Sequence, residues 1–147
     1  MAKLQVELVT AEGRLLSREA DFVVAPGVEG ELGVLPRHIP LLTPLRPGEV
    51  MVRNDGDEEF LFVAGGFLEV LPDRVVILAD AAERAEDIDE ARAEEARRRA
   101  QQLLEEQPEG IDTGATALAL ERAVMRLRVA ELRRRHRREP PPTVHVE

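Results

Sequence analysis

The chain changes character at Glu86-Asp87-Ile88-Asp89-Glu90-Ala91-Arg92-Ala93, a stretch that we call the joint. Before the joint, short alternating runs separated by turn residues predict β-strands. After it, the spacing of apolar residues predicts helix almost to the end of the chain. Asp87 followed by Glu90 resembles a capping box, which predicts a first helical turn at Ile88. The chain therefore divides into a predicted β-domain, a predicted hairpin of two helices and a predicted extended tail, over residues 1–84, 85–138 and 139–147.

The β-domain is predicted from alternation of apolar and polar residues. Leu4-Gln5-Val6-Glu7-Leu8 has the pattern of a strand with one buried face. Turn signals such as Asp55-Gly56 and Gly65-Gly66 separate the other alternating runs. Many short strands at regular spacing are typical of a small sandwich or barrel. The further predicted strands are Asp21–Ala25, Glu49–Arg53, Glu59–Ala64, Phe67–Leu71 and Arg74–Ala79.

The segment 27–42 does not alternate and is rich in glycine and proline. We expect it to bend over the surface of the β-domain, with three apolar side chains tucked beneath it: Leu35, Ile39 and Leu42. Its spaced glycines do not form a phosphate loop, because no Gly-Lys-Ser/Thr follows them. His38 has no second metal ligand near it in sequence, so we interpret it as a hydrogen-bonded histidine at the surface or at an interface.

Two helices are predicted beyond the joint. The first extends to about Glu106 and is ended by Gln107-Pro108-Glu109-Gly110, and Asp112 or Thr113 caps a second that extends to about Arg137. The first helix has a stripe of mostly small residues that favours close approach of another helix, formed by Ala93, Ala96, Ala100, Leu103 and Leu104. The second has one stripe that suits the first helix, formed by Ala119, Ala123, Leu127 and Ala130. It has another that must pack on the β-domain or on another protein, formed by Leu118, Met125, Val129 and Leu132.

The two predicted helices carry opposite charge. Residues 86–109 hold nine acidic side chains and four arginines, whereas residues 112–139 hold four acidic side chains and eight arginines. The helices should therefore attract each other when the hairpin is closed. An exposed ion pair contributes only about 0.2–1 kcal/mol, so such a hairpin is able to open.

Four arginines are spaced to approach one another in a closed hairpin. Arg92 and Arg99 are seven residues apart on the first helix, and Arg122 and Arg126 are four apart on the second. A cluster of like charge beside an alanine-lined groove, with Asp89 near its floor, would be stabilised by an anion such as a triphosphate. The alternative is that these are ordinary surface arginines, which acidic neighbours neutralise: Glu94, Glu95 and Glu121.

Three segments of the β-domain resemble the epsilon subunit of the bacterial F-type ATP synthase. They are 30–42 (Gly-Glu-Leu-Gly-Val-Leu-Pro-Arg-His-Ile-Pro-Leu-Leu), Leu45-Arg46-Pro47-Gly48 and Ala64-Gly65-Gly66-Phe67-Leu68-Glu69-Val70. The resemblance extends from about Leu4 to Arg138. It implies a ten-stranded β-sandwich that packs on the gamma subunit and on the c ring, followed by an antiparallel helical hairpin. It also implies that Glu31 contacts the c ring and His38 contacts gamma, while a solvated turn carboxylate is the alternative for Glu31.

The joint itself matches the Ile/Leu-Asp-x-x-Arg-Ala motif with which epsilon subunits bind ATP. The resemblance therefore implies ATP as a regulatory ligand, with no catalytic cofactor. A match to this motif predicts a site better than it predicts an affinity. By residue-for-residue comparison with that family, the implied ATP-binding residues are Glu83, Ile88, Asp89, Arg92, Ala93, Arg99, Arg122 and Arg126.

The second helix ends in a basic run, Arg133-Arg134-Arg135-His136-Arg137-Arg138, which a triple proline follows. A basic run is able to bind nucleic acid or anionic lipid. However, no aromatic residues are interleaved for base stacking, and the chain as a whole has a net charge of −9. The resemblance instead implies that Arg133, Arg134 and Arg135 belong to an inhibitory helix that contacts the beta subunit of the catalytic head.

The inventory of reactive side chains is sparse: no cysteine, one serine, three scattered histidines and no metal-ligand spacing. We therefore expect neither catalysis nor a metal site. No apolar run has the length of a membrane helix, and the N-terminus lacks the pattern of a signal peptide.

The resemblance implies a non-catalytic central-stalk subunit that couples gamma to the c ring. It also implies inhibition of ATP hydrolysis through an ATP-sensitive hairpin. Such a subunit would be peripheral, at the cytoplasmic face of the bacterial membrane, and associated with the membrane only through the complex. A free-standing nucleotide sensor, and a nucleic-acid or lipid adaptor that uses 133–138, are the alternatives.

Overall fold

The computed structural model describes residues 2–138, and the predicted tail over 139–147 lies outside them. Ten strands precede a short 3-10 turn (Ala85–Asp87) and two helices, α1 (Glu90–Glu106) and α2 (Thr113–Arg138). The strands are β1 (Leu4–Thr10), β2 (Gly13–Ala20), β3 (Phe22–Gly27), β4 (Gly30–Val34), β5 (Leu41–Leu45), β6 (Gly48–Asn54), β7 (Asp57–Val63), β8 (Gly66–Leu71), β9 (Arg74–Ala79) and β10 (Ala82–Arg84). The predicted class, a β-sandwich followed by a helical hairpin, is confirmed.

The strands form one hydrogen-bonded path in the order β10-β7-β6-β3-β5-β8-β9-β1-β2, with β4 paired to β3. Most neighbours are antiparallel, but β1 is parallel to β9. The alternation in β1 buries Leu4, Val6 and Leu8 completely. Strands β1 to β9 all contribute side chains to one aliphatic core, and the burial of that core stabilises the sandwich.

The prediction that Leu35, Ile39 and Leu42 are tucked beneath the surface is wrong, because 60%, 76% and 69% of these residues are exposed. The reason is the period of two in the flanking strands. β4 points Val34 into the core, and β5 points Leu45 into it. Leu42 is an odd number of residues from Leu45, so it faces outward.

The capping prediction is wrong by two residues. Asp87 belongs to the 3-10 turn, whose geometry makes the N–H of Ile88 donate to the carbonyl of Ala85. Ile88 itself is extended and buried. Asp89 is therefore the N-cap of α1, and its Oδ1 accepts the backbone N–H of Arg92 at 3.1 Å.

The hairpin is closed and lies on the sandwich through α2. Asp112 caps α2, since its Oδ1 accepts the N–H of Ala115 at 3.0 Å. α1 packs against α2, whereas α2 packs against β6, β7 and the 3-10 turn. A second cluster of buried residues joins the helix to the sandwich. It consists of Phe62, Ala64, Ala85, Ile88, Val129 and Ala130, with Phe60 and Met125 packed against it.

The predicted stripes of α2 are only partly right. Met125 and Val129 contact the sandwich cluster as expected, but Leu118 of the same stripe is exposed. Ala130 was assigned to the α1 side, yet it contacts the sandwich. The reason is that α2 is the inner helix of the hairpin. Its contact with the sandwich therefore includes residues from both stripes. Within residues 2–138, no helix combines the length and the apolarity needed to cross a membrane.

Candidate functional site

A cavity of about 460 Å³ lies where α2 crosses the edge of the sandwich. Four stretches that are far apart in sequence form its walls: residues 10–12 at the β1–β2 turn, Phe62 and Ala64 at the end of β7, residues 80–83 entering β10, and one face of α2. The helix contributes Arg122 and Arg126, one turn apart, and the sandwich contributes Glu83. A molecule bound in this cavity would touch the sandwich and α2 together.

Arg126 and Glu83 form an ion pair across this boundary through Nε and Oε1. About a quarter of each side chain is exposed, so water screens the pair only in part. The pair ties the middle of α2 to the last strand of the sandwich.

Arg122 differs from Arg126, because its Nε is buried and has no hydrogen-bond partner among the described residues. A buried donor without an acceptor costs about 1–3 kcal/mol. A guanidinium also retains its charge under all conditions in a protein. Arg122 therefore brings a fixed positive charge to the cavity wall, which suits an anion with several acceptor oxygens.

The structure brings together some of the residues predicted for ATP and not others. Glu83, Arg122 and Arg126 line the cavity. Ile88 packs in the sandwich cluster. Ala93 is completely buried in the hairpin.

The remaining predicted residues are on α1 and do not line this cavity. Arg92 is exposed, and Arg99 pairs with Glu95 at 3.1 Å. Successive helical residues are about 100° apart, so these arginines lie to one side of the buried Ala93 and Ala100. Asp89 is exposed and uses its carboxylate as the N-cap of α1.

Thr10, Glu12 and Asp80 also line the cavity, and sequence reasoning did not select them. No local signal marks these residues, because they reach the site only through the pairing of β1 with β9 and through the docking of α2. Glu12 and Asp80 place negative charge opposite the arginines, so the cavity has a basic wall and an acidic wall.

Glu31 lines a second, smaller cavity of about 280 Å³ together with Glu49, Met125 and Arg128. Burial raises the pKa of the Glu49 carboxyl, and the nearby carboxylate of Glu31 raises it further. The side of the sandwich that carries Glu31 is therefore in contact with the docked helix.

His38 lies in the turn before β5. Its Nδ1 is 2.7 Å from the carbonyl oxygen of Ile39, and its backbone N–H donates to the carbonyl of Leu35. Leu35 and Ile39, whose carbonyl groups His38 contacts, both expose large apolar side chains.

The outward face of β5, β8 and β9 continues this apolar character. Phe67 is directly opposite Pro44 on one side and Leu78 on the other, and Phe67 and Leu78 are each 53% exposed. We call this face, with the preceding turn, the apolar surface; it consists of Leu35, Ile39, Leu42, Pro44, Phe67 and Leu78. Contiguous exposed apolar side chains on a folded domain mark an interaction site.

The basic end of α2 is held by carboxylates of its own chain. Arg133 Nε is 3.5 Å from Glu86 Oε2, and Arg134 Nη1 is 2.5 Å from Glu90 Oε2. Arg135 pairs with Glu131 of the same helix at 2.9 Å. Among residues 2–138, no group of three or more His, Cys, Asp or Glu side chains is placed to hold a metal ion.

Comparison with protein families gives two adjoining matches. The family described as "ATP synthase, Delta/Epsilon chain, beta-sandwich domain" matches residues 3–85. The family described as "ATP synthase, Delta/Epsilon chain, long alpha-helix domain" matches residues 86–131. The two matches meet at the start of the joint.

Similar curated proteins cover nearly the whole chain. The ATP synthase epsilon chain of Dehalococcoides mccartyi is 53% identical over 137 residues, which is 92% of this chain and 98% of the relative. The epsilon chain of Herpetosiphon aurantiacus is 53% identical over 131 residues, 89% of this chain and 96% of the relative. Among solved structures, a chain of the Euglena gracilis mitochondrial ATP synthase (OSCP/F1/c-ring) matches with a TM-score of 0.78 at 24% identity. That match covers 90% of this chain and 82% of the other, and it shows the same fold.

Proposed function

The chain belongs to the epsilon-chain family of ATP synthase, a stalk subunit and not a catalytic one, and from that premise we propose a function in two parts. The sandwich couples the gamma subunit to the c ring in the central stalk of a proton-translocating F-type enzyme. The hairpin inhibits ATP hydrolysis when it opens, and bound ATP keeps it closed.

The coupling function is supported by the apolar surface. Four of its six side chains project from three adjacent strands, so their spacing is fixed by the sheet. Burial of apolar area contributes about 25 cal/mol per Å², and a partner such as gamma would supply the covering surface. His38 at the start of this surface is the proposed gamma contact, and Glu31 is the proposed contact to the c ring.

The regulatory function is supported by one observation above the others. The cavity that Arg122 and Arg126 line is walled by the sandwich on one side and by α2 on the other. The phosphates of ATP would accept hydrogen bonds from Arg122 and Arg126, and this contact exists only while α2 is docked. A ligand that binds only the docked form stabilises it by about 2.7 kcal/mol at a hundredfold excess over its Kd.

The joint would contribute from the other helix. Arg92 and Arg99 are exposed, so their long side chains are free to turn toward a bound polyphosphate. Arg99 would leave Glu95 to do so, a pair with side chains about 70% exposed that contributes little. Ile88 and Ala93 hold the start of α1 in place by their burial, while Asp89 caps it.

The inhibitory function is assigned to the basic end of α2. If the helix left the sandwich, Arg133, Arg134 and Arg135 would become available to an acidic surface of the beta subunit. The subunit would therefore be peripheral, on the cytoplasmic face of the bacterial membrane, and associated with it only through the complex.

Calorimetric titration of the isolated chain with ATP tests the site. We expect saturable binding that is lost in Arg122→Ala and in Arg126→Ala. Arg98→Ala is the matched control, because Arg98 is exposed, belongs to the outer helix and pairs with Glu94 at 3.8 Å. Absence of saturable binding by the unmutated chain would remove ATP regulation and leave coupling and inhibition.

A further inference from the structure

We propose that carboxylates of β10, the 3-10 turn and the start of α1 are an intramolecular receptor for three arginines of α2, so that three ion pairs act together as an electrostatic latch. The pairs are Glu83–Arg126, Glu86–Arg133 and Glu90–Arg134. This inference rests on the proposed role of the hairpin as a switch, and it identifies what holds that switch shut in the absence of a ligand.

The three acidic residues come from three successive elements. Glu83 lies in β10, Glu86 in the 3-10 turn, and Glu90 is the first residue of α1. Their partners follow in the same order along α2, so the chain from β10 through the joint lies beside the helix. One placement of α2 therefore satisfies all three pairs, and they would break together when the helix leaves.

The latch residues are distant in sequence, with more than forty residues between the members of each pair. These contacts consequently exist only in the docked state. The pair between Arg135 and Glu131 is different, because it lies within one helix and survives undocking. The Arg135–Glu131 pair is therefore a built-in control: removing it should not change docking.

The apolar contact beneath α2 is small, so the three ion pairs contribute a larger share of the free energy of docking. Three of the six buried residues in the cluster are alanines: Ala64, Ala85 and Ala130. Docking therefore buries less apolar side chain than a core of leucines would. Since the latch side chains are between about a quarter and a half exposed, removing one carboxylate should raise the undocked fraction about two- to fivefold.

The latch has a consequence for binding of an acidic partner. Arg133 and Arg134 are already paired in the docked state, so an acidic surface must compete with Glu86 and Glu90 to capture them. Neutralising these two glutamates should therefore favour the open hairpin without any change to the basic residues themselves.

The test uses the full chain, which contains no cysteine, with a fluorescent pair attached at Asp73→Cys and Val124→Cys. Asp73 lies in the exposed β8–β9 turn, and Val124 is exposed on α2. Energy transfer then reports the distance between helix and sandwich. The measurement is made in low-salt buffer at the urea concentration at which about one tenth of the unmutated chain is undocked, because uncharged urea does not screen ion pairs.

We expect Glu86→Gln and Glu90→Gln each to raise the undocked fraction about two- to fivefold, and the double variant to raise it further. Glu131→Gln, the matched control, should leave the fraction unchanged. The exchanged pair Glu90→Arg with Arg134→Glu should restore docking that each single change impairs. An undocked fraction that stays the same in the double variant, or an exchange that restores nothing, overturns the latch.

Titration of the same labelled chains with ATP separates the latch from the proposed switch. If ATP shifts the helix toward the docked state while the glutamate variants do not alter the undocked fraction, the latch fails and the switch stands. If the variants undock the helix while ATP has no effect on it, ATP regulation fails and the latch stands.

Discussion

Arg122 and Arg126 are one turn apart on α2 and face the same cavity, yet Arg126 is paired with Glu83 while the Nε of Arg122 has no acceptor among the described residues. One arginine therefore stabilises the docked helix and its neighbour opposes it. An anion bound in the cavity would be attracted to the guanidinium of Arg122, so Arg122 would then favour the docked helix.

This difference predicts the effect of Arg122→Met. Methionine removes the buried donor but retains a long side chain, so we expect the free energy of unfolding of the ligand-free chain to rise by about 1 kcal/mol. Binding of ATP should be lost in the same variant. Urea denaturation measures the first effect, and Arg98→Met is the control. A fall in stability of more than 1 kcal/mol would show that Arg122 is already satisfied without a ligand.

Substitutions in the apolar surface should weaken assembly with gamma and leave the stability of the isolated chain almost unchanged. Ile39→Asp and Phe67→Thr change exposed side chains, so the free energy of unfolding should move by no more than about 0.5 kcal/mol. Reconstitution with purified gamma should nevertheless be strongly weakened, because a charge or a smaller side chain is placed in the contact. Asp57→Asn is the control, because Asp57 is exposed and starts β7, a strand that does not pair with β5, β8 or β9. Normal binding of gamma by both variants would locate the interface elsewhere.

A substitution at Ile88 tests whether the hairpin undocks without unfolding of the sandwich. Its side chain is buried in the cluster that joins the sandwich to α2, with Phe62 and Val129, outside the main core. Ile88→Ala should weaken docking by about 2–4 kcal/mol through the cavity that it leaves. Amide hydrogen exchange should then accelerate in α2, while β1 and β9 keep their protection. Equal acceleration in the sandwich strands would mean that helix and sandwich unfold as one unit.

Glu49 predicts a dependence on pH. Burial and the neighbouring Glu31 carboxylate raise the pKa of Glu49, and α2 forms part of the enclosing wall. The docked form therefore binds the proton more tightly than the open form. Docking should strengthen as the pH falls through the raised pKa toward the ordinary carboxyl value, and weaken as the pH rises through it.

Glu49→Gln isolates that contribution, because it leaves the other charged side chains beside α2 unchanged. The variant should dock more firmly at neutral pH and lose part of the acid dependence, as measured by energy transfer between sandwich and helix. An identical pH profile in both chains would show that the charge of Glu49 is solvated in the docked form.

The sequence predicted those strands that alternate over one buried face and failed where the pattern was short or interrupted. Four strands were not predicted: β2 buries only Leu16 and Ala20 among its eight residues, β4 contains two glycines, β5 contains Pro44, and β10 has only three residues. The exposed Leu35 and Ile39 were misplaced for another reason. An apolar side chain in a sequence looks the same whether it is buried in a core or covered by a partner.

The candidate site was predictable only in part. The spacing of Arg122 and Arg126 placed them on one face of a helix, and the structure confirms that both line one cavity. Tertiary packing places α2, and not α1, against the sandwich. For this reason Arg122 is partly enclosed while Arg92 is exposed. Asp80 and Glu12 reach the cavity through pairing between distant strands, so no local pattern identifies them.

The central claim is that a ligand in this cavity holds α2 on the sandwich. Hydrogen exchange of the α2 amides, with and without ATP at a hundredfold excess over Kd, tests it most directly. The account predicts about a hundredfold slower exchange from the docked helix, and no slowing in Arg122→Ala. Unchanged exchange in α2 when calorimetry shows the site to be saturated would contradict it.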